Sequence, residues 1–296
     1  FGSGMIFRAY EERQLGIDNA LDGIRLTFEP KNGIYFKGMI GKQRFTFNDK
    51  LVNGTGLIRA IDGEINFNEL LDTSNSWKLK ATLGGSFVSK FNTDNKTTVF
   101  NMPKNVGASS LRVNLRYQKI RFSGEYVHKI NDPYPDQDEN FNYIFKKGEG
   151  LLFNLGYSTK GFAVDFSAKH MDNMLWRSTN EPVGPTDLLI GYLPALTKQH
   201  TYNLAATLYP YATNFYGEIA YQLDLLYKIP KKTSLGGRYG TSISLNFATA
   251  YVPERNFIND MGSSRNSYTT SFFSRSDSIL LQDFNIEIKR KINKKI

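Results

Sequence analysis

Charged side chains recur at every second position along several segments of this chain, and they are the strongest candidates for chemistry. Successive side chains of a β-strand point to opposite faces, so residues at alternate positions share one face. In residues 111–129, Arg112, Arg116 and Arg121 fall on the same face of a predicted hairpin. The full set of candidates on such faces is Lys78, Lys80, Arg112, Arg116, Arg121, Glu125, Lys129, Asp165 and Lys169.

A face of this composition has two interpretations. It could line a basic passage that contacts small polar or anionic solutes, because rings of Arg and Lys select for negative charge. Alternatively, acidic residues such as Asp62 and Glu64 could neutralise it, so that the charges only fill and stiffen an interior. The residue types leave both interpretations open.

Two other groups could carry chemistry, and each has a simpler explanation. Residues 132–140 (DPYPDQDEN) gather oxygen ligands of the kind that Ca²⁺ prefers, but they lack the glycine and distal glutamate of an EF-hand loop. His128 and His170 stand near Asp132 and Asp172, yet both histidines fall at the ends of predicted strands. We therefore expect a solvated loop and no metal site, no catalytic residue, no cofactor and no enzymatic activity.

The elements that must position the charged residues are β-strands. In residues 150–170, Leu151, Phe153 and Leu155 alternate with a more polar face, a turn follows at 158–161, and the alternation restarts at Phe162. This pattern predicts a hairpin with one apolar and one polar face. It repeats along the chain and predicts about 13–14 strands, of which 13 are assigned: 5–10, 24–29, 34–40, 61–68, 77–87, 111–117, 120–129, 151–158, 162–169, 201–208, 218–228, 242–247 and 284–292.

Strand length and loop length favour an antiparallel transmembrane β-barrel over a soluble β-sandwich. Several of these strands, such as 77–87, 120–129 and 218–228, have the 9–11 residues that a tilted membrane-spanning strand needs, which is longer than usual in soluble proteins. Short connections (30–33, 118–119, 158–161) alternate with long ones (42–56, 131–149, 171–199), as in barrels with short periplasmic turns and long external loops.

One connection breaks this alternation. The long loop 253–282 falls on the side of the short turns, which indicates a strand missed or merged within 200–245.

The composition of the chain excludes several kinds of site, membrane span and partner. The chain has 296 residues, a formal net charge of +9 and no cysteine, so disulfides and thiolate metal sites are excluded. It contains no apolar run of 18 residues, which excludes a helical membrane span. The basic residues are spread along the polar strand faces, so we do not expect nucleic acid as a partner. We expect a single domain over residues 1–296 whose strand-like ends continue beyond both termini.

Four segments resemble a poorly characterised family of outer-membrane β-barrel proteins from Bacteroidota. They are residues 1–10 (FGSGMIFRAY), 15–23 (LGIDNALDG), 193–202 (LPALTKQHTY) and 236–241 (GGRYGT). The resemblance implies a barrel in the outer membrane of a Gram-negative bacterium. It implies no activity and no functional residues.

The most direct functional hypothesis is a porin-like channel that passes small polar or anionic solutes through a basic lumen. The alternative is an accessory or structural barrel subunit of a larger outer-membrane complex, whose long loops bind partner proteins. Either way, the expected partners are outer-membrane lipid and lipopolysaccharide, and for the second hypothesis other outer-membrane proteins or surface lipoproteins. A membrane-embedded hydrolase using His170 is the weakest of the three hypotheses.

Overall fold

The computed structural model describes residues 1–12, 17–44, 52–72, 77–92, 102–135, 143–179, 187–198, 211–259 and 265–291. The fold is all-β, and after a two-stranded ribbon of β1 (Glu11–Glu12) and β2 (Ile17–Asp18) one antiparallel sheet of 11 strands dominates it. From one edge to the other this sheet consists of β3 (Leu21–Lys31), β4 (Ile34–Arg44), β5 (Asn53–Asn66), β6 (Leu79–Phe91), β7 (Asn105–Tyr117), β8 (Ile120–Lys129), β11 (Gly148–Thr159), β12 (Phe162–Asp172), β13 (Gly217–Ile229), β14 (Thr241–Pro253) and β17 (Arg275–Arg290).

A second, smaller sheet stands at one end of the large one. Its four strands are β9 (Tyr134–Pro135), β10 (Tyr143–Ile144), β15 (Asn256–Asn259) and β16 (Arg265–Thr269). They belong to the connections that follow β8 and β14, and Tyr134, Ile144 and Tyr268 form its small apolar core. We call this sheet the cap. The one helix of the described residues, α1 (Phe67–Leu70), lies between β5 and β6, and the Asn66 side chain caps its first turn.

The large sheet has an inner and an outer face because its sequence alternates with a period of two. The apolar phase points outward and is exposed: Leu26 is 69% exposed, Ile61 63% and Ile288 66%. The polar phase points inward, where Asp62, Arg112, Glu125 and their neighbours are buried. Burial is therefore the reverse of that in a protein with a water-exposed polar surface and a buried apolar core.

The two ends of the sheet also differ. At the end that we call the turn end, β3 and β4, β7 and β8, and β11 and β12 are joined by only two residues each. The opposite loop end carries the long connections, including residues 173–216 between β12 and β13 and residues 254–274 between β14 and β17.

This arrangement removes the break in the predicted alternation of loops. β12 pairs directly with β13, so no strand lies between them in the sheet, and the connection after β14 returns to the loop end. Within the described residues 211–245, the prediction of a missed or merged strand is wrong, because Gly217–Ile229 is a single strand and β14 follows it directly in the sheet. The predicted strand 201–208 lies outside the described residues.

The main apolar core lies between the inner face near the loop end and three segments that cover it. We call residues 1–8, 174–179 and 187–198 the filling segments; they bury Ile6, Trp176 and Ile190 completely or almost completely. Leu21 of β3 and Leu281 of β17 both pack against this one cluster. Because these two strands are the opposite edges of the sheet, the sheet must curl around the filling segments.

The predicted first strand at 5–10 is wrong. Met5, Ile6 and Phe7 are all buried, so this segment shows no alternation between an exposed and a buried face, and no strand is assigned to it. Without 5–10 and 201–208, the large sheet of the described residues has 11 strands, where 13–14 were predicted. Ten pairings join them, and none of these joins the edges β3 and β17. No helix among the described residues is long and apolar enough to cross a membrane.

Candidate functional site

The inner face carries three levels of charged residues, and the middle level is centred on Arg112. Its guanidinium Nη1 lies 2.7 Å from Asp62 Oδ1 and donates to Ser86 Oγ at 2.8 Å, while Nη2 lies 3.2 Å from Glu64 Oε2. Ser86 donates in turn to Asp62 Oδ1 at 2.6 Å. Arg112 is only 6% exposed, so this is a buried ionic network whose members satisfy one another.

A glycine on the neighbouring strand makes room for this network. Gly84 of β6 lies opposite Arg112 in the register with β7. A Cβ atom at Gly84 would lie 2.5 Å from Arg112 Nε, closer than two such atoms can approach. The absence of a side chain at Gly84 therefore lets the guanidinium cross toward the carboxylates on β5.

One of the filling segments covers the middle level directly. The Ser3 backbone N–H donates to Glu125 Oε2 at 2.7 Å. Further along, Tyr192 N donates to Gly4 O at 2.9 Å, and Arg8 N donates to Ile190 O at 2.8 Å. Residues 1–8 are thus held between the inner face on one side and residues 187–198 on the other.

The loop-end level contains two fully buried lysines, each with a defined role. Lys169 Nζ lies 2.7 Å from Glu218 Oε1, and both side chains are 0% exposed. Lys169 also donates to Thr213 Oγ1 at 2.7 Å and to Pro194 O at 2.8 Å. Because a buried ammonium must have all its donors paired, Lys169 fixes the connection between β12 and β13 to the inner face.

Lys129 anchors the same connection from the other side. It is 0% exposed and donates to the Leu175 carbonyl at 2.5 Å. Close by, Lys90 forms an ion pair with Asp132 at 2.8 Å. The buried positive charges of the inner face therefore hold the filling segments in place at this end.

The cap is joined to the sheet through Asp172, the last residue of β12. Tyr268 OH donates to Asp172 Oδ1 at 2.8 Å, and Lys146 Nζ lies 3.0 Å from Asp172 Oδ2. Burial raises the pKa of the Tyr268 hydroxyl far above its ordinary value, and the neighbouring Asp172 carboxylate raises it further. Burial also raises the pKa of Tyr134 to about 12.

The turn-end level is open. Arg121 forms a forked contact with Asp165, in which its Nη2 lies 2.7 Å from Oδ1 and 2.6 Å from Oδ2, but Arg121 is 63% exposed. Lys80 and Arg116 stand in the same row and are exposed as well. This level borders a concave space of about 560 Å³, which shares Asn114, Ser123 and Asn154 with a second space of about 450 Å³ beneath Arg112.

The structure divides the nine predicted site residues according to these levels. Arg112 and Glu125 meet in the middle level, whereas Lys129 and Lys169 are sealed at the loop end. Lys80, Arg116, Arg121 and Asp165 line the open space, and Lys78 is exposed at the turn end. Sequence reasoning missed Glu218 as the partner of Lys169; both residues fall on the polar phase of their strands, but the pairing of those strands is not visible in the sequence.

The described acidic and histidine residues that were considered as metal ligands or catalytic groups make contacts with other parts of the fold. Asp132 is the partner of Lys90, while positions 136–140 of the predicted oxygen-rich loop lie outside the described residues. Within the described part of the chain, no group of three or more acidic, histidine or cysteine residues could hold a metal ion. His170 faces outward with 0% exposure, packs 4.5 Å from the Phe272 ring, and places Nε2 at 3.8 Å from Glu149 Oε1.

One protein family matches the whole chain, including the large sheet and the filling segments. A family described as a family of unknown function, DUF6029, matches residues 1–296. The chain belongs to the DUF6029 family. The match agrees with the predicted resemblance in that the family is uncharacterised. No curated protein matches the chain.

Proposed function

We propose that this DUF6029 chain forms the wall of a β-barrel in a bacterial outer membrane, and that its own filling segments close the interior. The observation that carries the proposal is the continuous apolar outer face. Large aliphatic and aromatic side chains are exposed on both edge strands as well as in the centre, as at Leu26, Leu111 and Ile288. Soluble proteins rarely expose an apolar surface of this extent, whereas lipid requires it.

Strand length and composition support the same placement. The 11 strands of the large sheet are 10–16 residues long, enough for a tilted strand to cross the hydrocarbon core. The inner face carries charged side chains in its middle and turn-end levels, like the polar lumen of outer-membrane barrels, and the connections are short at one end and long at the other. We infer that the turn end faces the periplasm and the loop end faces the exterior.

Closure of the barrel places a condition on the two edges. With 11 antiparallel strands, β3 and β17 run in the same direction, from the loop end to the turn end. They can close the sheet only by a parallel pairing or through an odd number of additional strands. Unpaired edge groups would cost several kcal/mol each in lipid, so we expect that the protein meets this condition in the membrane.

The filled interior favours the accessory role over an open channel. Hydrogen bonds hold residues 1–8 and 187–198 against the inner face, and most of their large apolar side chains are buried there. The cap exposes Phe257 and Ile258 on its edge strand β15, at 58% and 55%. We propose that the chain is a non-conducting subunit of an outer-membrane complex and that its loop end contacts partner proteins.

Single-cysteine variants test the membrane placement. Because the chain has no native cysteine, a thiol-reactive fluorophore labels only the introduced position. Ile61→Cys and Ile288→Cys place a fluorophore on the outer face, and Asn154→Cys places it on the inner face as the matched control. In vesicles containing brominated lipid, we expect strong quenching at positions 61 and 288 and weak quenching at 154. Equal quenching at all three positions, or release of the native protein from membranes by buffer alone, would refute the proposal.

A porin-like channel for polar or anionic solutes is the second candidate, supported by the two adjoining concave spaces of the turn-end and middle levels. Planar bilayer recordings separate the two roles. A non-conducting protein that co-purifies with other outer-membrane proteins supports the accessory role. Stable anion-selective conductance by the purified wild type would support the channel and contradict the accessory proposal.

A further inference from the structure

Three cations stand directly opposite one another across adjacent strands at the turn end. Lys80 of β6 pairs in register with Arg116 of β7, and Arg116 pairs with Arg121 of β8. All three belong to the inner face, and we call them the cationic row. Like charges directly opposite one another in a sheet are destabilising, so folding alone does not account for this arrangement.

Among the described residues, one member of the cationic row, Arg121, has a carboxylate partner. Asp165 contacts Arg121 on the far side of Gly156, where a Cβ atom would lie 2.5 Å from both Arg121 Nε and Asp165 Oδ1. In the part of the chain that the structure describes, Lys80 and Arg116 form no ion pair. Three positive charges against one carboxylate leave a formal charge of about +2 in the row at neutral pH.

The surroundings of the cationic row supply further polar groups that can donate hydrogen bonds. The row borders the concave space of about 560 Å³, and the next row of the inner face adds the side chains of Thr82, Asn114 and Ser123. The second carboxylate that borders this space, Asp224, accepts hydrogen bonds from Gln222 at 2.8 Å and from Asn246 at 2.7 Å. Its charge is therefore already solvated by amides away from Lys80 and Arg116.

We propose that the cationic row binds a phosphate-type oxyanion. Such a ligand carries about one negative charge as a phosphodiester and about two as a phosphomonoester, and it binds mainly through acceptor oxygens, which matches a site made of cations, hydroxyls and amides. Arg116 would contact two of its oxygens through the guanidinium fork, and Lys80 would provide a point charge beside it. Inorganic phosphate, a soluble phosphomonoester and a phospholipid headgroup all share this chemistry.

Calorimetric titration of the full chain in phospholipid-free detergent, at constant ionic strength, tests the site with inorganic phosphate. We expect saturable binding to the wild type that chloride does not reproduce. Arg116→Gln and Lys80→Gln should each weaken it at least about tenfold, since each removes a charged hydrogen-bonding group. Lys289→Gln is the matched control, because Lys289 is 74% exposed and pairs with Glu287 elsewhere.

Thermal unfolding distinguishes a binding role from a structural one. Without phosphate, Arg116→Gln should melt at the same temperature as the wild type or higher, because like-charge repulsion is removed. With phosphate, only the wild type and Lys289→Gln should gain stability. No phosphate binding by the wild type, or equal weakening in all three variants, would overturn the proposal.

A further titration in lipid nanodiscs identifies the source of the oxyanion. If phosphate still binds in discs of phosphatidylglycerol, a soluble phosphate is the ligand; if binding is lost there but retained in zwitterionic discs, an anionic lipid headgroup occupies the site. Absence of binding in detergent and in both kinds of disc would contradict the proposal. The detergent experiment requires neither membrane placement nor barrel closure, so its failure is distinguishable from failure of the proposed function.

Discussion

Strand β12 carries two ion pairs of the same kind in very different settings. Four residues apart on its inner face, Asp165 pairs with Arg121 and Lys169 pairs with Glu218. The first pair is 33% and 63% exposed at the turn end, whereas both side chains of the second are 0% exposed beneath the filling segments. The difference indicates that the loop-end half of the inner face is a structural core and the turn-end half is a surface available to ligands.

The largest expected effect follows from breaking the buried pair. Glu218→Gln removes the carboxylate but keeps the side-chain volume, so Lys169 remains as a buried charge without its counter-ion. We expect a loss of about 3–5 kcal/mol in the free energy of unfolding. The measurement is urea unfolding of the protein in detergent, followed by the fluorescence of the buried Trp176.

Asp165→Asn is the matched control in the open half. An exposed pair contributes at most about 1 kcal/mol, because water solvates Arg121 when its partner is lost. Similar losses for the two variants would show that the two halves do not differ in the way described.

Two glycines provide the next test, because each faces an arginine at the same distance. A Cβ atom would lie 2.5 Å from Arg112 Nε in Gly84→Ala and 2.5 Å from Arg121 Nε in Gly156→Ala. Arg112 is buried in its network and cannot move away, so we expect Gly84→Ala to destabilise by about 1–3 kcal/mol. Arg121 is exposed and can turn toward solvent, so Gly156→Ala should have a smaller effect.

Gly85→Ala controls for the intrinsic effect of replacing a strand glycine. Gly85 follows Gly84 in β6, and its Cβ would meet nothing closer than Ser110 O at 3.4 Å. Its effect on unfolding should remain within about 0.5 kcal/mol. A loss at position 85 as large as that at 84 would attribute the effect to the strand rather than to the Arg112 network.

These contrasts also show how far sequence reasoning could reach. Alternation of Leu151, Phe153 and Leu155 is sufficient to predict strands, because period-two amphipathicity depends on local sequence alone. Residues 5–10 gave a false strand because local alternation does not show that distant residues such as Trp176 bury Met5, Ile6 and Phe7 together. The consecutive apolar residues Met5, Ile6 and Phe7 were the available signal against a half-exposed strand.

The residue types of the candidate site could be predicted from the sequence, but the burial of each residue could not. Lys169 and Asp165 occupy equivalent positions on the polar phase of one strand, yet one is sealed and the other open. The cover comes from the filling segments, residues 1–8, 174–179 and 187–198, which are remote in sequence from most of the strands that they contact. Pairing of Lys169 with Glu218 likewise depends on the β12–β13 register, which no local pattern encodes.

A smaller effect is expected from removing one of the several hydrogen bonds that hold residues 1–8. Trp176 Nε1 donates to Ile6 O at 3.1 Å, and Trp176→Phe removes that donor while keeping an aromatic ring. We expect a loss of about 1–2 kcal/mol together with faster proteolytic cleavage after Arg8. Trp77→Phe, at a tryptophan that is 50% exposed, is the control and should change neither measurement.

The smallest effect concerns the cap at alkaline pH. Burial keeps the Tyr268 and Tyr134 hydroxyls neutral and raises the pKa of each, that of Tyr134 to about 12. Because an unfolded tyrosine ionises near about pH 10, the stability from these groups is complete below that pH and is lost as the pH rises toward 12. Spectrophotometric titration of phenolate absorbance should therefore show late, cooperative ionisation that accompanies loosening of the cap.

Tyr268→Phe separates this effect from general alkaline unfolding. The variant loses the hydrogen bond to Asp172, at a cost of about 1 kcal/mol at neutral pH, and it should lose the alkaline dependence that belongs to Tyr268. An unchanged titration curve in the variant would mean that the hydroxyl of Tyr268 does not bind the cap to β12. In that case, the buried core of the loop-end half would be confined to the large sheet and its filling segments and would not include the cap.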